Sequence, residues 1–218
     1  MLHIILFSRG AQSAYTAFLV AKKYGRENLV LLHTPTKAEH PDSDRFEQEF
    51  SNFIGVPITE ISCGKSLWEI IEENRFIPNQ RAALCTQTLK VKVSQKYFKS
   101  LNCDFTVYLG YSNSEKHRAE KFIKNNPNIK AKFPLIEKNI SDEQAKRGIQ
   151  KLGLKLPEAY LYFEHNNCIP CIKGGKGYWL QVLKHFPEQY WRMSDLEKKF
   201  NHTVFKDVSL KDLSRRSL

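Results

Sequence analysis

The amino-terminal stretch constrains the fold most. An apolar run, Leu2-His3-Ile4-Ile5-Leu6-Phe7, meets the polar turn Ser8-Arg9-Gly10-Ala11-Gln12-Ser13, and a helical pattern follows from Ala14 to Tyr24. A buried strand that turns sharply into a helix aims the helix's first N–H groups outward, where no intrahelical carbonyl can meet them, and the helix dipole adds positive potential. Such a turn is suited to an anion. Gly10 lets the backbone come close to a ligand, and Ser8 and Ser13 add hydroxyls.

The same alternation continues. Short apolar runs at Leu29–His33, Ile58–Ile61 and Phe105–Leu109 are bounded by Gly, Asn, Asp or Pro and read as strands. Between them lie helical patterns at Ser43–Ile54, with Phe46, Phe50, Phe53 and Ile54 on one face, and at Val91–Leu101, amphipathic and basic. This order predicts an α/β fold with a parallel sheet covered on both sides, whose ligands bind beyond the carboxyl ends of the strands. The turn, His33-Thr34 and Gly110-Tyr111 all fall at those ends. The pattern changes near Asn125-Asn126-Pro127, which divides the chain into an expected α/β domain, 1–124, and a C-terminal helical segment, 125–218. In the latter, Phe133-Pro134-Leu135 reads as extended, Ser141-Asp142-Glu143 caps a short helix ending near Gly148, and a helix covers Tyr178–Lys184. Trp179 and Trp191 are expected to pack the C-terminal helices, and the tail from Asn201 is polar and basic.

A net charge of +11 over 218 residues points to anionic partners, such as nucleotides, sulfated or phosphorylated compounds, tRNA or DNA. The alternative is a solvated, lysine-rich surface. No apolar stretch approaches the about 18 residues of a membrane span, and the apolar start runs into the turn without a basic leader, so a cytoplasmic location is expected, with no membrane partner. The oligomeric state is open, a homodimer included. Five cysteines do not suggest a secreted disulfide scaffold.

Five segments, in order, resemble the phosphoadenylyl-sulfate (PAPS) reductase-like branch of the PP-loop adenine-nucleotide alpha-hydrolase superfamily. Phe7–Tyr15 is similar to its S-G-G-x-[DT]-S pyrophosphate loop, and Leu31–Thr34 with Glu39-His40-Pro41-Asp42 to its second strand and acidic loop. Arg75–Asn79, Arg81 and Cys85-Thr86-Gln87-Thr88-Leu89-Lys90 resemble an R-x-C-T-x-x-L-K segment. Leu109-Gly110-Tyr111 with Glu115–Arg118 resembles a G-x-x-x-x-E-x-x-R element, and His165–Gly175 carries Cys168-Ile169-Pro170-Cys171. The resemblance implies a doubly wound, mostly parallel five-stranded sheet of the HUP type, a small cysteine-containing helical subdomain, and ATP or a PAPS-like adenylyl nucleotide as ligand. It places Ser8, Arg9, Gly10, Ala11, Gln12, Ser13, His33, Thr34 and Gly110 around that nucleotide. Arg81, Lys90, Glu115 and Arg118 become the candidate catalytic groups, with Lys173 and Lys176 as further anion contacts.

The sequence departs from the family pattern in two ways. Arg9 stands where Gly is usual, where it either adds charge to the phosphates or crowds them. Gln12 stands where Asp or Thr is usual, which leaves open whether this loop contacts magnesium, a further candidate cofactor. The E-C-G-L-H tail that carries the nucleophile of thioredoxin-linked PAPS reductases is absent.

Cys168 and Cys171 have a spacing that lets two thiolates grip one metal. With Cys85 brought to them, three thiolates suit zinc, with His165 as a fourth ligand, or a [4Fe–4S] cluster with one open iron. A redox disulfide between Cys168 and Cys171, or purely structural cysteines, are the alternatives. Cys63 and Cys103 are expected to be buried. Three functions remain in play: adenylation of a substrate by ATP ahead of sulfur transfer, reduction of PAPS or adenylyl sulfate, and a nucleotide- or nucleic-acid-binding module without catalysis.

Overall fold

The computed structural model describes residues 1–79 and 82–216, and its short strands are largely buried at the sheet centre and partly exposed at both edges. They are β1 (Leu2–Leu6), β2 (Leu29–His33), β3 (Ile58–Glu60), β4 (Phe105–Tyr108) and the two-residue β5 (Ala131–Lys132). Together they make one sheet in the order β3-β2-β1-β4-β5, with every pair parallel. The order reverses between β1 and β4, and their carboxyl ends border the crevice where such sheets bind ligands.

Helices occupy the connections between strands, α1 (Ala11–Tyr24), α2 (Ser43–Ile54), α3 (Leu67–Asn74), α4 (Leu84–Thr86), α5 (Lys92–Ser100) and α6 (Lys116–Asn125), and follow the last strand, α7 (Pro134–Glu137), α8 (Asp142–Lys151), α9 (Lys176–His185), α10 (Pro187–Phe200) and α11 (Leu210–Arg215). A π-helical stretch, Gln87–Val91, links α4 to α5. Three starts carry capping boxes, Ser66 with Glu69, Ser112 with Glu115, and Ser141 with Gln144, which close the orphan N–H groups reciprocally.

The chain divides into two compact units, Met1–Thr34 with Pro41–Ile61 and Lys96–Glu158, and Pro35–His40 with Ser62–Gln95 and Ala159–Leu218. The break at Asn125–Pro127 falls inside the first. That unit holds the whole sheet. Ile4, Leu32, Val107 and Leu109 pack with Phe98, Ala119 and Phe133 in one of its cores. Tyr15 of α1 lies against α8 where only a glycine fits, because a Cβ on Gly148 would stand 2.4 Å from the ring. The second unit is helical and centres on Trp179, Tyr190, Met193 and Leu210, all fully buried. Buried Glu197 closes it by accepting the backbone N–H of Val204 at 2.8 Å and of Leu210 at 2.7 Å.

Several expectations are corrected. Phe133-Pro134-Leu135 is not extended: β5 ends at Lys132 and Pro134 opens α7, since Pro at the first helical position lacks only an N–H that would be orphaned anyway. Phe53 and Trp191 are exposed, as are Cys63 and Cys103. The polar tail contains α11, whose Leu210 and Leu213 are core residues. No helix among the described residues is long and apolar enough to cross a membrane.

Candidate functional site

The predicted turn lies where the topology needs it, between β1 and the first turn of α1. Its hydroxyls are arranged inward. Ser13 Oγ accepts from the Ser8 N–H and the Ser8 hydroxyl, each at 3.2 Å, and donates to the Gly10 carbonyl at 2.9 Å. Ser13 therefore staples the loop from within. Ser8 is exposed, whereas Gly10 and Ala11 are buried. The end of β4 closes onto this loop at Gly110, where a Cβ would stand 2.8 Å from the Gln12 carbonyl and from Ser13 N. His33, 2 % exposed at the end of β2, donates from Nδ1 to the Phe7 carbonyl at 3.0 Å, tying the neighbouring strand to the loop's entry, with half-buried Thr34 next along the chain.

The Arg9 side chain meets carboxylates of α2 and β3. Its backbone is left-handed (φ 62°), a conformation that glycine adopts freely and a side chain at a cost. The guanidinium is buried against α2 and the end of β3. Nε donates to Glu47 at 2.5 Å, Nη1 to Asp44 at 2.7 Å, and Nη2 lies 3.9 Å from Glu60. Burial pushes the Glu47 carboxyl above its usual range; Arg9 pulls it down, and Glu60 and Asp44 push it up again. Sequence reasoning saw the departure at position 9 but not the three carboxylates that accommodate it.

Glu115 and Arg118 pair with each other at the start of α6. Glu115 also accepts from the Ser112 N–H at 3.3 Å in its capping box, and the Arg118 guanidinium sits 4.4 Å from the centre of the Tyr111 ring. Both side chains are thus held locally. Arg81 lies outside the described residues.

The remaining candidates belong to the second unit. Cys85, Cys168 and Cys171 are close enough to act on one another electrostatically. Burial first, and the Cys168 thiol second, raise Cys85 and push Cys171 up to about 11, while Lys173 pulls both down. Cys168 Sγ is 3.1 Å from Thr36 Oγ1. Tyr178 braces the C-x-x-C turn by donating to the Cys168 carbonyl at 2.6 Å and accepting from the Cys171 N–H at 2.8 Å. Glu39 accepts the Thr36 N–H at 2.7 Å, the Thr36 hydroxyl at 2.8 Å and the Ala38 N–H at 3.1 Å. Burial opposes its charge, but these donors and Lys90 hold its carboxyl below the ordinary range. The Thr36-x-x-Glu39 spacing, a capping-box pattern, was the available signal for this network.

Three thiols are the soft donors that zinc or an iron–sulfur cluster takes. As placed, however, they do not make a ligand set: among the described residues no three His, Cys, Asp or Glu side chains gather closely enough to hold a metal ion. His165 does not join them into one, and desolvation favours the neutral thiol at Cys85 and Cys171. The group does not fit these side chains as they stand.

No protein-family model and no curated protein matches the sequence. Solved structures do. A PAPS reductase from Candida auris, in its phosphate complex, aligns over 76 % of this chain and 80 % of its own, with TM-score 0.55 and 15 % identity. The U34-tRNA thiolase NcsA from Methanococcus maripaludis, with its [4Fe-4S] cluster, aligns over 99 % of this chain and 80 % of its own, with TM-score 0.46 and 14 % identity. The chain therefore shares the α/β fold of that PAPS reductase.

Proposed function

We propose that the protein is an enzyme that binds an adenine nucleotide by its phosphates at the Ser8–Ser13 loop and uses ATP to adenylate a substrate ahead of sulfur transfer. The observation that carries this reading is the stapled loop at the strand-order reversal, with Gly110 of the neighbouring strand end packed so closely on it that no side chain fits. The phosphate complex of the PAPS reductase that shares the fold is in keeping with it. A substrate oxygen attacks the α-phosphorus, the bond to the β-phosphate oxygen breaks, and pyrophosphate leaves. A sulfur nucleophile then displaces AMP from the adenylated substrate. The chain's contribution is positional and electrostatic: a rigid loop at a helix N-terminus fixes the leaving pyrophosphate.

Isothermal titration with ATP and a non-hydrolysable analogue, paired with a pyrophosphate-release assay, tests the reading. Wild type should bind both, and Ser8→Ala with Ser13→Ala should weaken binding at least tenfold. Absence of binding, or equal binding by the double variant, overturns it. Sulfite release from PAPS with a thiol reductant would favour reduction instead, the reading that the neighbouring thiols support. Nucleic-acid binding without pyrophosphate release would favour a non-catalytic module.

A further inference from the structure

The second unit contains a cleft of about 370 Å³, which lies toward the small end of the roughly 300–1,000 Å³ usual for small-ligand sites. One wall is aromatic: Tyr162, Phe163 and Tyr178 line it. These rings are fixed rather than loose. Tyr178 is tied at its hydroxyl to the Cys168 carbonyl and the Cys171 N–H, and its ring centre is 4.7 Å from that of Phe163. Tyr162 packs on His185 with centres 4.4 Å apart. Gly175 and Gly177, at the start of α9, also line the cleft, and a Cβ on either would meet nothing within 4 Å, whereas Gly174 packs on the Tyr178 ring. Polar groups punctuate the remainder. Asn167 and Gln181 offer amides, Glu164 offers an acceptor, and Lys173 and His165 supply donors for an anion.

Aromatic rings set at angles to one another, an open glycine side, amides with paired donor and acceptor atoms, and a cation are what a nucleotide unit requires. Every base has a π-face that stacks on aromatic rings, amides and carboxylates read base edges, and lysine meets the phosphate. We propose that this cleft is a second nucleotide-binding site, separate from the Ser8–Ser13 loop, which takes one nucleotide either free or as part of a single strand. The net charge of +11 suits either source. The proposal goes beyond the loop reading, and the two fail separately.

The test uses CMP, whose exocyclic amine suits Glu164, together with a single-stranded oligocytidylate and inorganic phosphate. The decisive variant is Gly177→Leu. Its side chain enters open space, its φ is unstrained, and leucine is the better helix former, so the variant should fold at least as well as wild type. Titration calorimetry should detect CMP binding to wild type, weakened at least tenfold by Gly177→Leu and unchanged by Ser8→Ala with Ser13→Ala. ATP binding should respond in the opposite way. Tighter binding of the oligonucleotide than of CMP, lost in Gly177→Leu, assigns the cleft to a strand; equal or weaker binding assigns it to the free nucleotide. No CMP binding, binding indifferent to Gly177→Leu, or inorganic phosphate bound as tightly as CMP overturns the proposal.

Discussion

Replacing Arg9 by glycine separates two opposed effects at the loop. The substitution removes the strain of a side chain at φ 62°, worth about 1 kcal/mol. It also removes the charged hydrogen bond to Glu47, formed between side chains only 9 % and 19 % exposed, worth about 1.5–3 kcal/mol. The bond to Asp44 adds little, about 1 kcal/mol at most, because that carboxylate is 80 % exposed. The balance is a loss of about 2 kcal/mol, a fall in Tm of about 4–8 °C for a chain of this length. The loss should depend on pH. Glu47 already has a raised folded-state pKa, so the stability its carboxyl contributes is complete below the ordinary 4.5 and is lost as pH rises through the folded value. Without Arg9 that value rises further. The variant's deficit is therefore greatest near neutral pH and shrinks as pH falls toward 4.5, and Glu47→Gln added to Arg9→Gly should recover part of it. Urea denaturation at pH 7 and pH 4.5 measures this, and ATP titration of the same variant should give an affinity within threefold of wild type. A variant as stable as wild type at neutral pH would refute the carboxylate-cage reasoning, and a tenfold loss of ATP affinity would mean that Arg9 serves the phosphates directly.

Gly110→Ala forces a Cβ to within 2.8 Å of the loop backbone, so stability should fall by about 1–3 kcal/mol and ATP affinity with it, as read by thermal melts and calorimetry. Glu197→Ala strips the acceptor from two backbone N–H groups and should cost about 2–4 kcal/mol, with faster hydrogen exchange at Val204 and Leu210. Native-state alkylation followed by peptide mass spectrometry should label exposed Cys63 and Cys103 first, and Cys85 and Cys171 at least tenfold more slowly, because burial raises both thiols.

The sheet was legible because β1, β2 and β4 are short, largely apolar runs with clear boundaries, and parallel strands buried on both faces have no other pattern to display. β5 was not, because two half-buried residues, Ala131 and Lys132, leave no periodicity to read. The helix at Leu67–Asn74 was missed although its Ser66-x-x-Glu69 box was in view, and α11 was hidden because only Leu210 and Leu213 mark its inner face within a charged tail. The loop's place at the strand ends followed from strand–turn–helix order. Its inner bonding did not, because nothing local says whether Ser13 faces a ligand or Ser8. Long-range partners were the least accessible: Arg9 meets carboxylates 35 and 38 residues away, and Thr36 meets Cys168 across 132 residues. The paired thiols were visible as a C-x-x-C spacing, whereas exposure of Cys63 and Cys103 runs against the usual burial of free cysteine.

The alternating assignment of chain segments has a consequence for synthesis. The polypeptide changes unit five times, after residues 34, 40, 61, 95 and 158. Neither body is therefore a contiguous gene fragment, and no single cut yields one of them whole. On the ribosome, residues 35–40 and 62–95 must wait, apolar side chains uncovered, until Leu210 and Leu213 emerge to complete their core. That interval is when a nascent chain of this design is most exposed to aggregation and most dependent on chaperones.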